Sequence, residues 1–164
     1  RSIADITAIL EQQKPDPAVF AERQRAAREE PPAGASGSAL AEFLTRRAST
    51  RSDLGLLAEA IGDAQRALEV AERQTRQRGA AFQTLVSLYQ MSGEPAKAIA
   101  LLRRQPTGAA AASRIGMQRQ LVRSLVASGD VAAAQVKLDA LVALADEAVS
   151  AASPTDLELY KEFW

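Results

Sequence analysis

The stretch LGLLAEAIGDAQRAL, residues 54–68, decides the fold of this chain because its pattern occurs three times. It reads as a glycine turn followed by one face of an amphipathic helix. SGEPAKAIALL (residues 92–102) and SGDVAAAQVKL (residues 128–138) repeat it, and the turn glycines lie 38 and 36 residues apart. This recurrence predicts an all-α superhelix, a solenoid of stacked antiparallel helical hairpins.

Small residues mark each of the three units. A glycine follows a helix of about 15 residues and precedes another, so we predict left-handed backbone at each glycine. Five residues later an alanine allows the second helix to approach the first closely. These residues are Gly55, Gly93 and Gly129, then Ala60, Ala98 and Ala134. The predicted core stripes are Phe82, Leu85, Val86 and Tyr89 in the second unit and Leu121, Val122 and Leu125 in the third.

The composition fixes the class and argues against several partners. The 164 residues are 47% hydrophobic but only 4% aromatic, and much of the apolar content is alanine, which favours helix over strand. The length suits one domain, so we expect one cooperative unit. Twenty basic and twenty acidic residues cancel, which argues against nucleic acid or an anionic membrane as the partner. No apolar run approaches the ~18 residues of a membrane span.

The residues that many enzymes need are missing from the sequence. It contains no Cys and no His, which excludes disulfides, thiol nucleophiles, His-dependent triads and Cys or His zinc sites. No glycine-rich phosphate loop occurs. The carboxylate pairs, Glu29 with Glu30 and Asp146 with Glu147, are helix neighbours that point about 100° apart, so neither converges on a substrate. We expect no catalytic residue, no cofactor and no metal, although a Ser–Lys pair stays formally possible.

Helix start and stop signals divide the chain into parts. Asp16 is typical of an N-cap and Pro17 of a first helical position, so residues 1–30 are predicted to form an N-terminal helical hairpin. The Pro- and Gly-rich residues 31–38 are a predicted linker. The remaining predicted parts are three hairpins at about 39–76, 79–106 and 109–150, together 39–152, and a final helix at 153–164.

The three hairpins resemble the tetratricopeptide repeat (TPR), a helix-turn-helix unit of about 34 residues. The resemblance covers roughly residues 39–145, and it specifies a fold rather than an activity. The matching residues are Leu44, Ala48, Gly55, Ala60, Ile61, Ala67 and Leu68, then Phe82, Leu85, Tyr89, Gly93, Ala98, Ile99 and Leu102, then Leu121, Leu125, Gly129, Ala134 and Leu138.

The chain departs from the repeat pattern in its second and third units. Gln118 stands where a bulky aromatic residue is usual. Gln105 and Pro106 replace a closing Ala-Leu pair, so the helix before them is predicted to end early, near Arg104. The corresponding helix of the first unit is predicted to run on to about Arg76.

In such an array the first helix of each hairpin lines a concave face, where solenoids usually bind peptides or partner segments. Arg119 and Arg123 are four residues apart on one helix face, so they could present paired guanidinium groups to a carboxylate or an acidic peptide. Solvated surface arginines are the alternative interpretation. The candidate binding residues on this face are Thr45, Ser49, Gln83, Ser87, Gln90, Arg119 and Arg123.

Some TPR domains hold the C-terminal carboxylate of a chaperone with a clamp of basic and amide residues in this groove. The matching positions here are Thr45, Ser49, Thr84, Gly116 and Gln120. None of them is basic and none is Asn, which disfavours that recognition. The mildly polar groove fits a weak or intramolecular partner.

The aromatic C-terminal segment leaves two functional hypotheses open. Leu157, Tyr160, Phe163 and Trp164 either cap the last hairpin or begin another repeat of a longer protein. Our first hypothesis is a non-enzymatic interaction module that binds a protein segment on its concave face. The alternative is an oligomerisation or spacer segment, including a homodimer through the C-terminal helix, and burial of Trp164 against another chain would favour it.

A second, looser resemblance concerns the opening, from Asp5 through ILEQQKPDP at residues 9–17. It is similar to the start of bacterial exported proteins in which a TPR array precedes a caspase-like CHAT peptidase domain. No part of that peptidase is present. The resemblance implies a bacterial, exported or periplasmic protein whose array presents or restrains a distant enzyme.

Overall fold

The computed structural model describes residues 16–73, 75–104 and 111–151, and their side chains except those of 111–113 and 148–151. Within these ranges the chain is helical and contains no strand, which confirms the all-α class. The described residues exclude 1–15, 74, 105–110 and 152–164. The first half of the predicted N-terminal hairpin and the predicted final helix therefore lie outside them. The helices are α1 (Pro17–Arg28), α2 (Gly37–Asp53), α3 (Leu57–Val70), α4 (Arg76–Met91), α5 (Pro95–Arg103), α6 (Ala111–Ala127) and α7 (Val131–Ala151).

The packing separates into two compact units, Arg1–Leu88 and Tyr89–Trp164. The boundary falls inside α4, whose backbone is continuous. In the first unit α2 packs on α3 and on α1, and in the second α6 packs on α5 and on α7. The prediction of one cooperative unit concerns unfolding, which packing does not measure, so it stays a prediction.

The three predicted glycine turns share one backbone geometry. Gly55, Gly93 and Gly129 have φ values of 77°, 73° and 82°, which confirms left-handed backbone at each. In every turn the N–H of the residue after the glycine donates to the carbonyl oxygen five residues earlier, at 2.8 to 3.0 Å. The glycine N–H donates to the carbonyl three residues earlier. This is the Schellman motif, which satisfies the last carbonyls of a helix and reverses the chain.

Alanines form the close-packed faces of the second helices, as predicted. Ala60, Ala98 and Ala134 are buried, and Ala64 and Ala67 extend the buried face of α3. Opposite them in the first unit, Leu44 and Ala48 of α2 are also buried. Because a methyl group adds little to the helix radius, these faces bring the two backbones close together.

The core stripe of α4 differs from its prediction at one position. Leu85, Val86 and Tyr89 are buried as predicted, but Phe82 is only half-buried and its neighbour Ala81 is fully buried. Ala81 joins a cluster around α2 that includes Leu40, Ala41, Phe43, Leu44, Ala67 and Ala71. Phe82 therefore contributes less to the core than predicted, and Ala81, its neighbour on α4, takes part in the cluster instead.

Two predicted helix ends are confirmed. Asp16 is the N-cap of α1, since its Oδ1 accepts a hydrogen bond from the N–H of Ala18 at 2.8 Å, and Pro17 is the first helical residue. At the other predicted end, α5 stops at Arg103 with Arg104 as its C-cap. The linker prediction needs a small correction, because α2 already begins at Gly37.

The end of α3 was predicted wrongly. The helix stops at Val70 rather than near Arg76, and Ala71 has extended backbone. The Arg78 side chain donates to the carbonyl oxygens of Leu68 and Ala71, which satisfies the end of α3. Thr75 starts the next helix, because its hydroxyl accepts a hydrogen bond from the N–H of Arg78.

Candidate interaction surfaces

Arg119 and Arg123 lie on α6 and are both exposed. Among the residues that the structure describes, neither guanidinium makes a hydrogen bond or an ion pair. The helix carries three arginines and no Asp or Glu, although the whole chain is neutral. The two side chains thus present concentrated positive charge at solvent.

Gln90, another predicted binding residue, is engaged within the fold. Its Nε2 donates to the Oγ of Ser124 at 2.9 Å and to the backbone oxygen of Gln120 at 3.3 Å. Ser124 is fully buried, and its hydroxyl donates to the same Gln120 oxygen at 2.9 Å. Gln90 therefore links α4 to α6 inside the second unit.

The predicted residues of the first unit have mixed exposure. Thr45 is half-buried and its hydroxyl donates to Ala41 O, and the exposed Ser49 donates to Thr45 O. On α4, Gln83 is half-buried and Ser87 is exposed. The hydroxyl protons of Thr45 and Ser49 are thus used within α2 itself.

A buried charge cluster in the first unit was not predicted. Asp63 of α3 lies on the alanine face, with its side chain only 7% exposed. Arg47 of α2 donates to both of its carboxylate oxygens, from Nε at 2.8 Å and from Nη2 at 2.7 Å. Arg51, one turn further along α2, donates from Nη1 to Oδ2 at 2.7 Å. One carboxylate therefore holds two cations, and together they join α2 to α3.

The same two arginines also hold α1. Arg47 Nη1 donates to the carbonyl oxygen of Glu29 at 2.7 Å, and Arg51 Nε donates to that of Ala27 at 3.0 Å. These carbonyls form the C-terminal end of α1, which carries partial negative charge. Hydrogen bonding to Asp63 raises the pKa of Arg47, against the opposing effect of burial. The three residues form what we call the carboxylate lock: Arg47, Arg51 and Asp63.

The sequence contained a signal for this lock. Asp63 falls between Ala60 and Ala67 on the stripe that faces α2, and a carboxylate on a buried stripe requires a paired cation. Arg47 and Arg51 have the four-residue spacing that brings two side chains to one face of the preceding helix. The charge pattern across two helices was therefore readable, but we assigned function only to exposed polar residues.

A groove of about 370 Å³ opens at one side of the first unit. One wall is a stripe of α1 that includes Phe20, Gln24 and Arg28, and the other includes Leu54 and Leu56 at the glycine turn. Phe20 is 45% exposed and Leu56 is 40% exposed. Two large apolar side chains thus border an open groove.

The last described helix has an exposed apolar stripe of its own. Val131, Leu138 and Val142 recur at helical spacing along α7, and all three are exposed. We call these three residues the α7 stripe. Ala134, three residues after Val131 and four before Leu138, lies on the same side of α7 and is buried, so the stripe borders the packed face of the helix.

The turn before α5 carries an exposed charged pair. Glu94 forms an ion pair with Lys97, and its Oε1 also accepts a hydrogen bond from Ser92 Oγ at 3.2 Å. The hydrogen bond to Lys97 lowers the pKa of Glu94 and raises that of Lys97. The Lys97 ammonium lies 5.6 Å from the centre of the Tyr89 ring, within cation–π range.

Within residues 16–73, 75–104 and 111–151, no group of three carboxylates is placed to hold a metal ion. None of the helices described there combines the length and apolarity required to span a bilayer.

Two solved structures share the architecture of this chain. The nearly identical repeats of a Podosopora anserina protein assigned as a kinesin light chain match 69% of this chain, with a TM-score of 0.56 and 21% sequence identity. The fold is TPR-like. A single-substitution variant of the same repeats matches 68% of the chain, with a TM-score of 0.57 and 19% identity. At this identity the likeness shows the TPR-like fold alone.

This chain corresponds to only part of each solved structure. The match spans 57% of the length of each of these two solved chains. No protein-family model and no curated protein matches the sequence. The looser resemblance of the opening to exported TPR–CHAT proteins stays a prediction.

Proposed function

We propose that this chain is a non-enzymatic protein-interaction module whose α6 surface binds an acidic protein or peptide segment. The TPR-like fold supports an interaction scaffold in general terms. The choice of an acidic ligand rests on one observation, the exposed pair Arg119 and Arg123.

Two pairs of arginines in this chain differ in their partners. Arg47 and Arg51 donate hydrogen bonds to Asp63 and to carbonyl oxygens at the end of α1, so their role is to stabilise the fold. Arg119 and Arg123 have no such partner among the described residues. A guanidinium offers two parallel N–H donors to a carboxylate, and two of them one helical turn apart suit a chain with several carboxylates.

The test measures binding of a defined acidic probe. A fluorescein-labelled octamer of glutamate is titrated with the full chain, and fluorescence anisotropy reports binding. Arg119→Glu with Arg123→Glu should weaken binding by at least about tenfold, because a charge-assisted hydrogen bond contributes roughly 1.5 kcal/mol or more. An octamer of lysine should not bind the unmodified chain.

The matched control makes the same charge change elsewhere. Arg66 and Arg73 are also exposed, so Arg66→Glu with Arg73→Glu alters net charge equally without touching α6. We expect this control to change affinity less than about twofold, since exposed charges far from a ligand are screened. Equal losses in both variants would reject a specific α6 site, and a loss of helical circular dichroism in the α6 variant would reject the placement of its arginines at solvent.

The α7 stripe supports a second candidate function, assembly with another copy of the chain. Exposed aliphatic side chains at helical spacing gain free energy when an apolar surface covers them, at about 25 cal/mol per Å². Light scattering after size exclusion tests it. A dimer that becomes a monomer on Leu138→Asp with Val142→Asp supports assembly, whereas a monomeric unmodified chain rejects it. Val136→Asp, exposed on another face of α7, is the matched control.

A further inference from the structure

We propose that α1 is a strap that opens while the α2–α3 hairpin stays closed, and that Asp63 of α3 controls the opening through Arg47 and Arg51. In the open state α1 leaves the surface of α2 as one piece. The movement belongs to the first unit and the Arg119–Arg123 pair lies in the second, so the inference is independent of the proposed function.

The two parts of the first unit are attached by different kinds of contact. Across the 12 residues of α1, Ala27 is the one buried side chain. The α2–α3 hairpin has an apolar core to which both helices contribute, including Phe43 and Leu44 of α2 and Ala67 of α3. Because opening the hairpin exposes that core to water, α1 should open at a lower cost in free energy than the hairpin.

Polar contacts of the carboxylate lock attach α1 to the hairpin. Arg51 Nε donates to the carbonyl oxygen of Ala27 at 3.0 Å, and Arg47 Nη1 donates to that of Glu29 at 2.7 Å. Both acceptors lie at the C-terminal end of α1, where the partial negative charge of the helix favours cations. A charge-assisted hydrogen bond contributes a factor of about ten or more to an equilibrium constant. The closed position of α1 therefore depends on these two contacts.

Asp63 orients both guanidinium groups from the other side. Its carboxylate accepts hydrogen bonds from Arg47 Nε and Nη2 and from Arg51 Nη1, at 2.7 to 2.8 Å. Each arginine of α2 thus divides its donors between Asp63 and a carbonyl oxygen of α1. A change at one residue of α3 therefore reaches α1 through two side chains of α2.

The connection between α1 and α2 provides a hinge for this movement. Residues 29–36 are not helical, and Ala35 packs against the core cluster of the hairpin, so the chain is anchored after residue 34. Gly34 has a φ of 76°, and no atom lies within 4 Å of the position that a Cβ would take there. Because a hinge needs a few residues that absorb the change in φ and ψ, the backbone just before Ala35 is suited to this role.

The test compares two buried alanines replaced by single cysteines, because the chain has no cysteine of its own. Ala27 on α1 and Ala71 at the end of α3, a member of the core cluster, are each 4% exposed. A maleimide reacts with a buried thiol when local opening exposes it. In the full chain Ala27→Cys should react at least about tenfold faster than Ala71→Cys, after each rate is divided by its value in concentrated guanidinium chloride.

A charge-free variant, Arg47→Met with Arg51→Met and Asp63→Leu, tests the control by the carboxylate lock. Replacement of the whole buried charge cluster by apolar side chains leaves no uncompensated charge, so the hairpin should keep its stability. The rate at Ala27→Cys should rise at least about tenfold, because α1 loses two charge-assisted hydrogen bonds. The rate at Ala71→Cys should change less than about twofold, because the core stays closed.

The matched control is Arg46→Met. Arg46 is exposed and lies over the same Phe43 ring as Arg47, at 5.6 and 5.2 Å from its centre. The charge-free variant loses two cations and one anion, so both variants lose a single net positive charge. Arg46→Met should leave both labelling rates within about twofold of those in the unmodified background.

Three outcomes would overturn the proposal. An unchanged rate at Ala27→Cys in the charge-free variant would mean that other contacts keep α1 closed. Equal increases at Ala27→Cys and Ala71→Cys would mean that α1 and the hairpin open together. A rate at Ala27→Cys no higher than that at Ala71→Cys in the unmodified background would mean that α1 does not open before the hairpin.

Discussion

Asp63 on α3 accepts two hydrogen bonds from Arg47 of α2, at 2.7 and 2.8 Å, and the other buried residues of α3 are all alanine. Two charges are therefore buried where small apolar side chains provide most of the packing. Removal of one partner leaves the other charge desolvated without compensation.

Asp63→Ala should destabilise the first unit strongly. We expect the free energy of unfolding to fall by about 3 kcal/mol, because Arg47 and Arg51 lose their shared carboxylate while they remain largely buried. Urea denaturation followed by circular dichroism measures the change. The control is Asp53→Asn, an exposed carboxylate of α2, which should change stability by less than about 0.5 kcal/mol. Similar small effects in both variants would show that the carboxylate lock contributes little to the free energy of unfolding.

Ala98→Arg should unfold the α4–α5 hairpin. The fully buried alanine has no space for a longer side chain, and the guanidinium would enter the interface without a partner. A destabilisation of at least about 3 kcal/mol follows from overpacking together with charge burial. Ala100→Arg, two residues later and exposed, is the control and should keep the helical signal. Full retention of helicity in Ala98→Arg would contradict the packing of α5.

Gly93→Ala and Gly62→Ala should have opposite effects on stability. Gly93 has a φ of 73°, so an added Cβ is strained although no atom lies within 4 Å of it, and the loss should be about 1 kcal/mol. Gly62 is exposed inside α3 with the same open space and no positive φ, so alanine there should add roughly 0.5 kcal/mol. Thermal unfolding of both variants gives the sign of each change in stability. A stabilising Gly93→Ala would contradict the left-handed turn.

The Glu94–Lys97 pair should make a small part of the stability depend on acid pH. The folded-state pKa of Glu94 lies below its ordinary value of 4.5, so the pair stabilises the fold above that pH. The contribution is lost as the pH falls below 4.5 and through the lowered pKa. Carbon NMR titration of the Glu94 carboxyl group measures it, and Lys97→Met should return the pKa towards 4.5. An unchanged titration in Lys97→Met would assign the shift to another group.

The turns and faces of the hairpins were predictable from sequence because they depend on local patterns. A glycine at a left-handed position and an alanine five residues later each reflect a constraint within one hairpin, so their recurrence identified the fold. The burial of Ala81 on α4, which was not predicted, depends on contacts with the cluster that contains Leu44. The early end of α3 likewise depends on Arg78, a side chain from the next helix.

The candidate site was predictable only in part, for a related reason. Spacing on one helix placed Arg119 and Arg123 together, and both side chains are exposed. Spacing could not show that Gln90 is bonded to Ser124 on another helix. The carboxylate lock joins charges on two helices, so the pattern within one helix does not predict it.

Arg51 belongs both to the wall of the groove and to the carboxylate lock, because its side chain lines the first and donates to Asp63 in the second. Any occupant that shifts this guanidinium must also change the hydrogen bonds that hold α3. Binding in the groove would therefore change the amide hydrogen exchange rates of α3, although α3 is linked to Arg51 only through the buried carboxylate of Asp63.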